Sequence, residues 1–356
     1  MLLASCADGR LDATDPKGVN AEAIWSVNRL SGWMATVVGI FVAVAVVFVV
    51  VKFRERDTDD PDEVPEQIHG NKKAELTWTL IPVGMLVFLA VATLPKVFDL
   101  NEEGAGRTIK VEGQQWWWQF SYDIDDDGEY DDIITANEIV IPVGEEVNLE
   151  IHSNDVIHSF WVPQLNGKRD AVPGRVHPWK ISSTEPGIYY GECTEFCGLS
   201  HANMQIRAVV LEQSDFDEWV RRQLEPAPLA ASGGAAEGAA LFAANCVTCH
   251  VINNGDPAYR VAAENGAVLQ SGVAPNLTHL MSRTSFAGAL FEMYDDDGNL
   301  NVADLREWIR NAPALKPANA ENQQGMPSFE EKLNEEDLDN LVTFLQTLGN
   351  PPILPD

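Results

Sequence analysis

From Trp33 to Val51 the chain runs for about 19 residues without a charged side chain, and no other stretch restricts the fold as strongly. Wound into a helix, the run rises ~28 Å, close to the ~30 Å hydrocarbon core of a bilayer. A secretory h-region is shorter, and a buried helix of a soluble domain rarely lacks a polar face, so the run is expected to span a membrane. A second apolar run, Leu76 to Leu94, repeats the pattern. Pro82 inside it is tolerable because helices in lipid find other partners for the freed carbonyl. Residues 33–98 are therefore read as a transmembrane helical hairpin, preceded by a polar N-terminal extracytoplasmic segment, 1–32. Lys52, Arg54, Arg56, Lys72 and Lys73 crowd the membrane ends of the connecting loop. By the positive-inside rule that loop faces the cytoplasm, which leaves both termini outside.

Beyond the hairpin the apolar period changes to two. Ile139, Ile141 and Val143 alternate, as do Val147, Leu149 and Ile151, with Pro and Gly between the runs. From Ile109 to Leu211 this pattern predicts an antiparallel β-sandwich, with the domain set at 105–225. Ser214 to Leu224 reads as a capped amphipathic helix, and Pro226 to Gly234 has linker composition. The linker is placed at 226–236 and a further domain at 237–350. In that last domain Leu338, Leu341, Val342, Leu345 and Leu348 form a helical apolar face, with Asn334 as its N-cap.

Chemistry concentrates in Cys193-Thr-Glu195-Phe-Cys197-Gly-Leu-Ser-His201-Ala-Asn-Met204. Two thiols, an imidazole and a thioether are soft ligands that favour copper or zinc over hard cations. Zinc in a structural site has no use for a methionine, whereas a weak axial thioether recurs in copper electron-transfer sites. Both metals remain open on these residues alone.

With Asp155-Val-Ile-His158-Ser-Phe-Trp-Val-Pro163 added, the two segments resemble the binuclear CuA domain of cytochrome c oxidase subunit II. The pattern Cys-x-Glu-x-Cys-x-x-x-His-x-x-Met is matched without departure, and the resemblance runs from about residue 25 to 225. It implies a cupredoxin-like sandwich in which Cys193 and Cys197 bridge two coppers, and His158 and His201 each cap one. Met204 would complete one copper and the Glu195 carbonyl the other. The Glu195 side chain would face a magnesium or manganese ion at the joint with subunit I. Gln114-Gln-Trp116-Trp-Trp118 resembles the aromatic stretch whose first tryptophan lies between docked cytochrome and CuA. Trp116 would then be the point of electron entry, exposed over the copper site. Alternation would put it on one face with Trp118, and Trp117 on the other; packing of all three in the core is the competing reading. Glu75, three residues before Trp78, resembles the glutamate at the mouth of a proton channel in subunit I, and an ordinary interfacial carboxylate is the alternative.

Cys246-Val-Thr-Cys249-His250 is the attachment motif of a c-type haem, with two thioether links and a proximal histidine. Gly325-Met326-Pro327 offers Met326 as sixth ligand, with Met281 and Met293 as the competing methionines. Ala274-Pro-Asn-Leu277 resembles the loop after the haem-binding helix of class I cytochromes c, so an all-α class I cytochrome c domain is expected. Covalent haem c is assembled outside the cytoplasmic membrane, so both redox domains belong on the extracytoplasmic side. The whole chain resembles subunit II of a caa-type haem-copper oxidase. This implies a multi-pass protein of the bacterial cytoplasmic membrane that passes electrons from an external donor, cytochrome c or a cytochrome bc complex, through haem c and CuA to subunit I. Subunits I and III and membrane lipid would be its partners. Neither span contains a histidine, so the oxygen-reducing haem and copper belong to another chain. The same motifs fit the electron-input subunit of a CuA-containing nitric oxide reductase. They fit a soluble nitrous oxide reductase or a copper carrier less well, given the hairpin and the fused haem motif.

A formal net charge of -30 excludes nucleic-acid binding through basic patches and suits a basic redox partner or a saline habitat. Asp123, Asp125, Asp127 and Gly128 resemble the start of a calcium loop, but Ile134 stands where a bidentate Glu is needed, so a solvated turn is expected; Asp295 to Gly298 reads likewise. Leu3-Ala4-Ser5-Cys6 has the form of a bacterial lipobox without the regions that normally precede one, leaving lipidation of Cys6 and a chance match both open. His69, His152, His177 and His279 are assigned no metal.

Overall fold

The computed structural model describes residues 9–54, 69–228, 232–252, 274–318 and 324–355; Cys6 and Arg56 lie outside them. The chain forms two units, Glu22–Glu102 and the remainder. The first is helical: α1 spans Val19–Phe53 and α2 spans Lys72–Asn101, and both are long and apolar enough to cross a membrane. Helix α1 begins fourteen residues before the apolar run, inside the stretch read as a polar N-terminal extracytoplasmic segment. Hydropathy marks the part of a helix that suits lipid; hydrogen bonding carries the helix on into Ala21-Glu-Ala-Ile-Trp25. Asn71 caps α2, its side chain accepting from the amides of Lys73 and Ala74, while the Glu75 carboxylate accepts from the amide of Asn71 at 3.2 Å.

In the second unit ten strands form two five-stranded sheets. One contains β1 (Thr108–Gln114), β2 (Trp117–Tyr122), β3 (Ile133–Ala136), β5 (Val147–Ser153) and β8 (His177–Ile181), in the order β3-β2-β1-β5-β8. The other contains β4 (Glu138–Pro142), β6 (His158–Trp161), β7 (Arg169–Ala171), β9 (Gly187–Cys193) and β10 (Gln205–Leu211), in the order β4-β10-β9-β6-β7. Alternate side chains from both, among them Ile109, Val111, Phe120, Ile139, Ile141 and Leu149, fill the space between them. The sandwich is not wholly antiparallel: β1 pairs parallel with β5, and β4 parallel with β10. Period-two alternation reports which face a residue occupies and is silent about which strand lies beside it. Before α1, the chain straps the sandwich, with the Lys17 amide donating to Gln164 and the Lys17 carbonyl accepting from Thr184.

Helix α3 (Gln213–Gln223) follows β10 and buries Phe216 and Trp219; it starts after Glu212 with no side-chain cap, so the expected cap near Ser214 is absent. Helix α4 (Gly233–Asn245) begins inside the stretch read as linker, and Ala227 is buried. It crosses α6 (Glu335–Leu345) closely, since a Cβ on Gly238 would sit 2.0 Å from the Asn340 carbonyl, and Phe242 packs on Phe344 with ring centroids 5.5 Å apart. Asn334 and Asp337 form the capping box of α6, and Leu338, Leu341, Val342, Leu345 and Leu348 are all buried beneath it. Between α4 and α6 lie the short pair β11 (Ser285–Phe286) and β12 (Phe291–Glu292), and α5 (Val302–Leu315).

The sandwich and the helical domain share a buried polar seam. Glu138 on β4, 4% exposed, accepts from the Thr284 amide and hydroxyl, each at 2.9 Å, and from the Ser285 hydroxyl at 2.5 Å. Arg207 on β10 donates to the Thr284 carbonyl at 3.2 Å and to Glu292 at 2.7 Å. The seam lies at β4, an edge strand of its sheet, and at its neighbour β10.

Candidate functional site

Two strand ends and one loop build the sulfur site. His158 opens β6 and Cys193 closes β9, neighbouring strands in which Phe160 pairs with Cys193. The loop 194–204 then returns to β10, and the Cys193 amide donates to the Met204 carbonyl at 2.9 Å. His158 and Met204 are fully buried, and both cysteines are 3% exposed. Cys193 Sγ and Cys197 Sγ lie 3.8 Å apart. His158 Nδ1 is 3.9 Å from the first sulfur, and His201 Nδ1 is 3.5 Å from the second. Met204 Sδ stands 3.9 Å from Cys197 Sγ, and the Glu195 carbonyl 3.3 Å from Cys193 Sγ. All six predicted donors therefore meet at one place. Glu195 itself is exposed.

Electrostatics explains why such a pocket suits metal. The hydrogen bond between the thiols lowers Cys193 well below an ordinary thiol, and the same bond together with burial drives Cys197 far up. Two thiolates at this separation need positive charge between them, which a pair of soft cations supplies. Two thiol sulfurs with an imidazole nitrogen beside each and a thioether beside one are a predominantly soft donor set that fits copper, and the thioether sets the site apart from a structural zinc site.

Several groups around the donors escaped the sequence reading. Asp155 Oδ1 lies 2.8 Å from His158 Nε2, fixing the ring so that Nδ1 faces the sulfurs. The spacing Asp155-Val-Ile-His158 was the available signal. Gly113 makes room for this ring, because a Cβ there would be 2.9 Å from His158 Cδ2, and Trp118 packs edge-on against it at 5.9 Å. Gln115 Nε2 and Trp116 Nε1 both donate to the Cys197 carbonyl, at 2.6 Å and 3.0 Å.

Trp116 differs from expectation in two ways. It lies in the turn between β1 and β2 rather than on a strand, so strict alternation does not govern it, and Trp116, Trp117 and Trp118 are all buried. Nor is it exposed: at 4% accessibility it lies beneath Lys316 and Gly288 of the helical domain.

In the helical domain the turn after α4 presents Cys246, Cys249 and His250. The amides of Cys249 and His250 both donate to the Cys246 carbonyl. His250 Nδ1 donates to the Pro275 carbonyl at 2.8 Å, leaving Nε2 for iron, and burial lowers the imidazole pKa and so favours the neutral ligand form. Burial pushes Cys246 up to about 12, so it stays a thiol until it is alkylated. These residues fit a covalently attached haem. Met326 packs at the edge of the same core, whereas Met281 and Met293 are buried within it.

The remaining assignments are plainer. Asp123, Asp125 and Asp127 hold their carboxylates within 4.8 Å of one another and accept amides of their own loop. His152 pairs with Glu112 at 2.9 Å, and His177 bonds the Asp170 carbonyl.

Three family models match in succession: the transmembrane domain of cytochrome c oxidase subunit II over residues 16–95, the periplasmic domain of that subunit over 107–212, and cytochrome c over 235–349. The chain is 34% identical over 357 residues to cytochrome c oxidase subunit 2 of Alkalihalophilus pseudofirmus, covering 98% of this chain and 94% of the relative. To the subunit 2 of Bacillus sp. strain PS3 it is 32% identical over 366 residues, with the same coverage. Among solved structures, the periplasmic domain of subunit II of cytochrome oxidase of Bradyrhizobium japonicum covers 35% of this chain and 96% of its own, at 31% identity and a TM-score of 0.32.

Proposed function

Since the chain belongs to the cytochrome c oxidase subunit II family, we propose that it anchors two redox domains on the outer face of a bacterial cytoplasmic membrane and admits electrons to the oxidase there. It is the electron-input subunit of a haem-copper oxidase. When bound, haem c and the dinuclear copper supply one-electron carriers between an external donor, cytochrome c or a cytochrome bc complex, and subunit I, where oxygen reduction to water is coupled to proton translocation. Cys193, Cys197, His158, His201, Met204 and the Glu195 carbonyl would hold the copper pair, with the two thiolates shared between the metals. Cys246 and Cys249 carry the haem, His250 ligates it and Met326 supplies the sixth ligand. The observation that carries this reading is the 3.8 Å approach of two buried sulfurs with an imidazole nitrogen beside each.

Orientation is supported by Lys52, Arg54, Lys72 and Lys73 at the inner ends of the helices. Phe196 and Leu199, 77% and 66% exposed beside Glu195, form an apolar edge of the copper loop that we assign to subunit I. Glu195 holds magnesium or manganese at that joint, and subunit III completes the assembly. Glu75, exposed at the inner end of α2, lies at a proton-channel mouth; Glu75→Ala then slows turnover without altering any spectrum, and full turnover would return it to an ordinary interfacial carboxylate. The functional reading as a whole is tested by oxygen uptake of the purified complex with reduced cytochrome c. Uptake abolished by Cys197→Ser with haem retained is expected; undiminished uptake in that variant would overturn it.

A further inference from the structure

The end of α5 places a lysine where the two redox domains meet. Lys316, 8% exposed, donates to the Trp116 carbonyl at 2.7 Å and to the Ala287 carbonyl at 3.0 Å. Burial pushes its pKa down to about 7, and in either protonation state the amine keeps two N–H groups for those two carbonyls. The loop beneath it is shaped to receive it. Ala287, Gly288 and Ala289 all have positive φ, and a Cβ on Gly288 would lie 2.1 Å from Lys316 Nζ and 2.9 Å from the Asn203 carbonyl. The Gly288 carbonyl in turn accepts from the Gln205 amide, at the end of the copper loop. Immediately after Lys316, the Pro317 carbonyl accepts from the Ser200 hydroxyl at 2.6 Å, and Ala318 packs on the sandwich core.

A second set of bonds runs from the methionine side of the haem-binding domain. Gln324, two residues before Met326, donates to Gln115 Oε1 at 2.5 Å, and Gln115 Nε2 donates to the Cys197 carbonyl at 2.6 Å. Only these two hydrogen bonds and one side chain separate the Gln324 amide from the backbone of a bridging cysteine. A linker-tethered domain that docked and released would have to exchange all of these buried hydrogen bonds for bonds to water and desolvate the same groups again in each cycle.

We propose that Lys316 is the latch of a permanent junction between the haem-binding domain and the copper loop, and that the chain Gln324–Gln115–Cys197 is a constant route for electrons across it. The inference rests on the reading of both redox sites above. Domain motion then does not gate the transfer, which moves one electron at a time from the haem-binding domain to the copper loop.

The test uses the purified holo-complex, following haem c reoxidation after a flash and, separately, hydrogen exchange of residues 284–290 and 197–204. In the wild type the rate is expected not to change as glycerol raises the viscosity, and both segments are protected. Lys316→Met slows the transfer about tenfold or more, makes it fall with viscosity, and exposes both segments to exchange, with both metal spectra intact. Gly288→Ala, which displaces the Lys316 amine by another route, does the same. Gln115→Met slows transfer while protection and viscosity independence stay. A wild-type rate that falls with viscosity overturns the latch, as does wild-type protection retained in both Lys316→Met and Gly288→Ala; a wild-type rate in Gln115→Met overturns the route. Absence of any haem-to-copper transfer in the loaded wild type would count against the functional reading, and exchange would still decide the junction.

Discussion

The indole nitrogen of Trp116 donates to the backbone carbonyl of Cys197 at 3.0 Å, tying the turn between β1 and β2 to the loop that carries the Cys197 sulfur. The contact is covered by the helical domain, so it is formed away from bulk water, where a hydrogen bond is worth more. Trp116→Phe keeps the packing and removes this bond. The expected outcome is an unchanged haem spectrum and slower haem-to-copper transfer, by about tenfold or ~1.4 kcal/mol of barrier. Flash photolysis measures it, and an unaltered rate would leave Trp116 a packing residue.

Asp155 holds His158 by a 2.8 Å bond to Nε2. In Asp155→Asn the bond survives as a weaker, neutral one, and copper affinity should fall about 10- to 100-fold, the usual effect of losing such a partner. Competition with a copper chelator gives the number. Affinity equal to wild type would mean that the ring is held by Trp118 and the Gly113 backbone alone.

Met326→Ala should abolish the sulfur-to-iron absorption band and lower the haem potential while the haem stays covalently attached. Persistence of the band would pass the role to another residue, with Met281 next, although its burial in the core argues for packing.

Much of this architecture was legible from local pattern. The spans, the candidate donors within residues 193–204 and the Cys246-Val-Thr-Cys249-His250 motif are each a run of neighbouring residues whose chemistry reads directly. What escaped depends on separations that no window contains. Lys316 and Trp116 are 200 residues apart in the chain, and a lone lysine after an amphipathic helix reads as solvated. The parallel pairing of β1 with β5 was hidden because alternation looks the same beside any neighbour. The early start of α1 was hidden because its first turns mix polar and apolar residues and carry Glu22 and Arg29, which interrupt the apolar run. Composition suggests a linker near Pro226 but carries no sign that the domains on either side share the Glu138 seam.

That seam has a measurable energy. Glu138→Ala leaves the Thr284 amide, the Thr284 hydroxyl and the Ser285 hydroxyl without their acceptor, and removes the carboxylate charge that favours the buried Arg283 guanidinium. A loss of about 3 kcal/mol is expected. Scanning calorimetry of the detergent-solubilised chain should show the helical domain unfolding earlier and separately from the sandwich; a single unshifted transition would contradict the seam's role.

The central claim is that Cys193 and Cys197 hold two coppers as one electronic unit. Electron paramagnetic resonance of the purified complex tests it most directly, comparing wild type with Cys197→Ser. The account predicts a wild-type signal whose hyperfine pattern comes from two equivalent copper nuclei, and its loss in the variant while the haem c signal remains. A wild-type pattern from a single copper nucleus, or an identical pattern in Cys197→Ser, would contradict it.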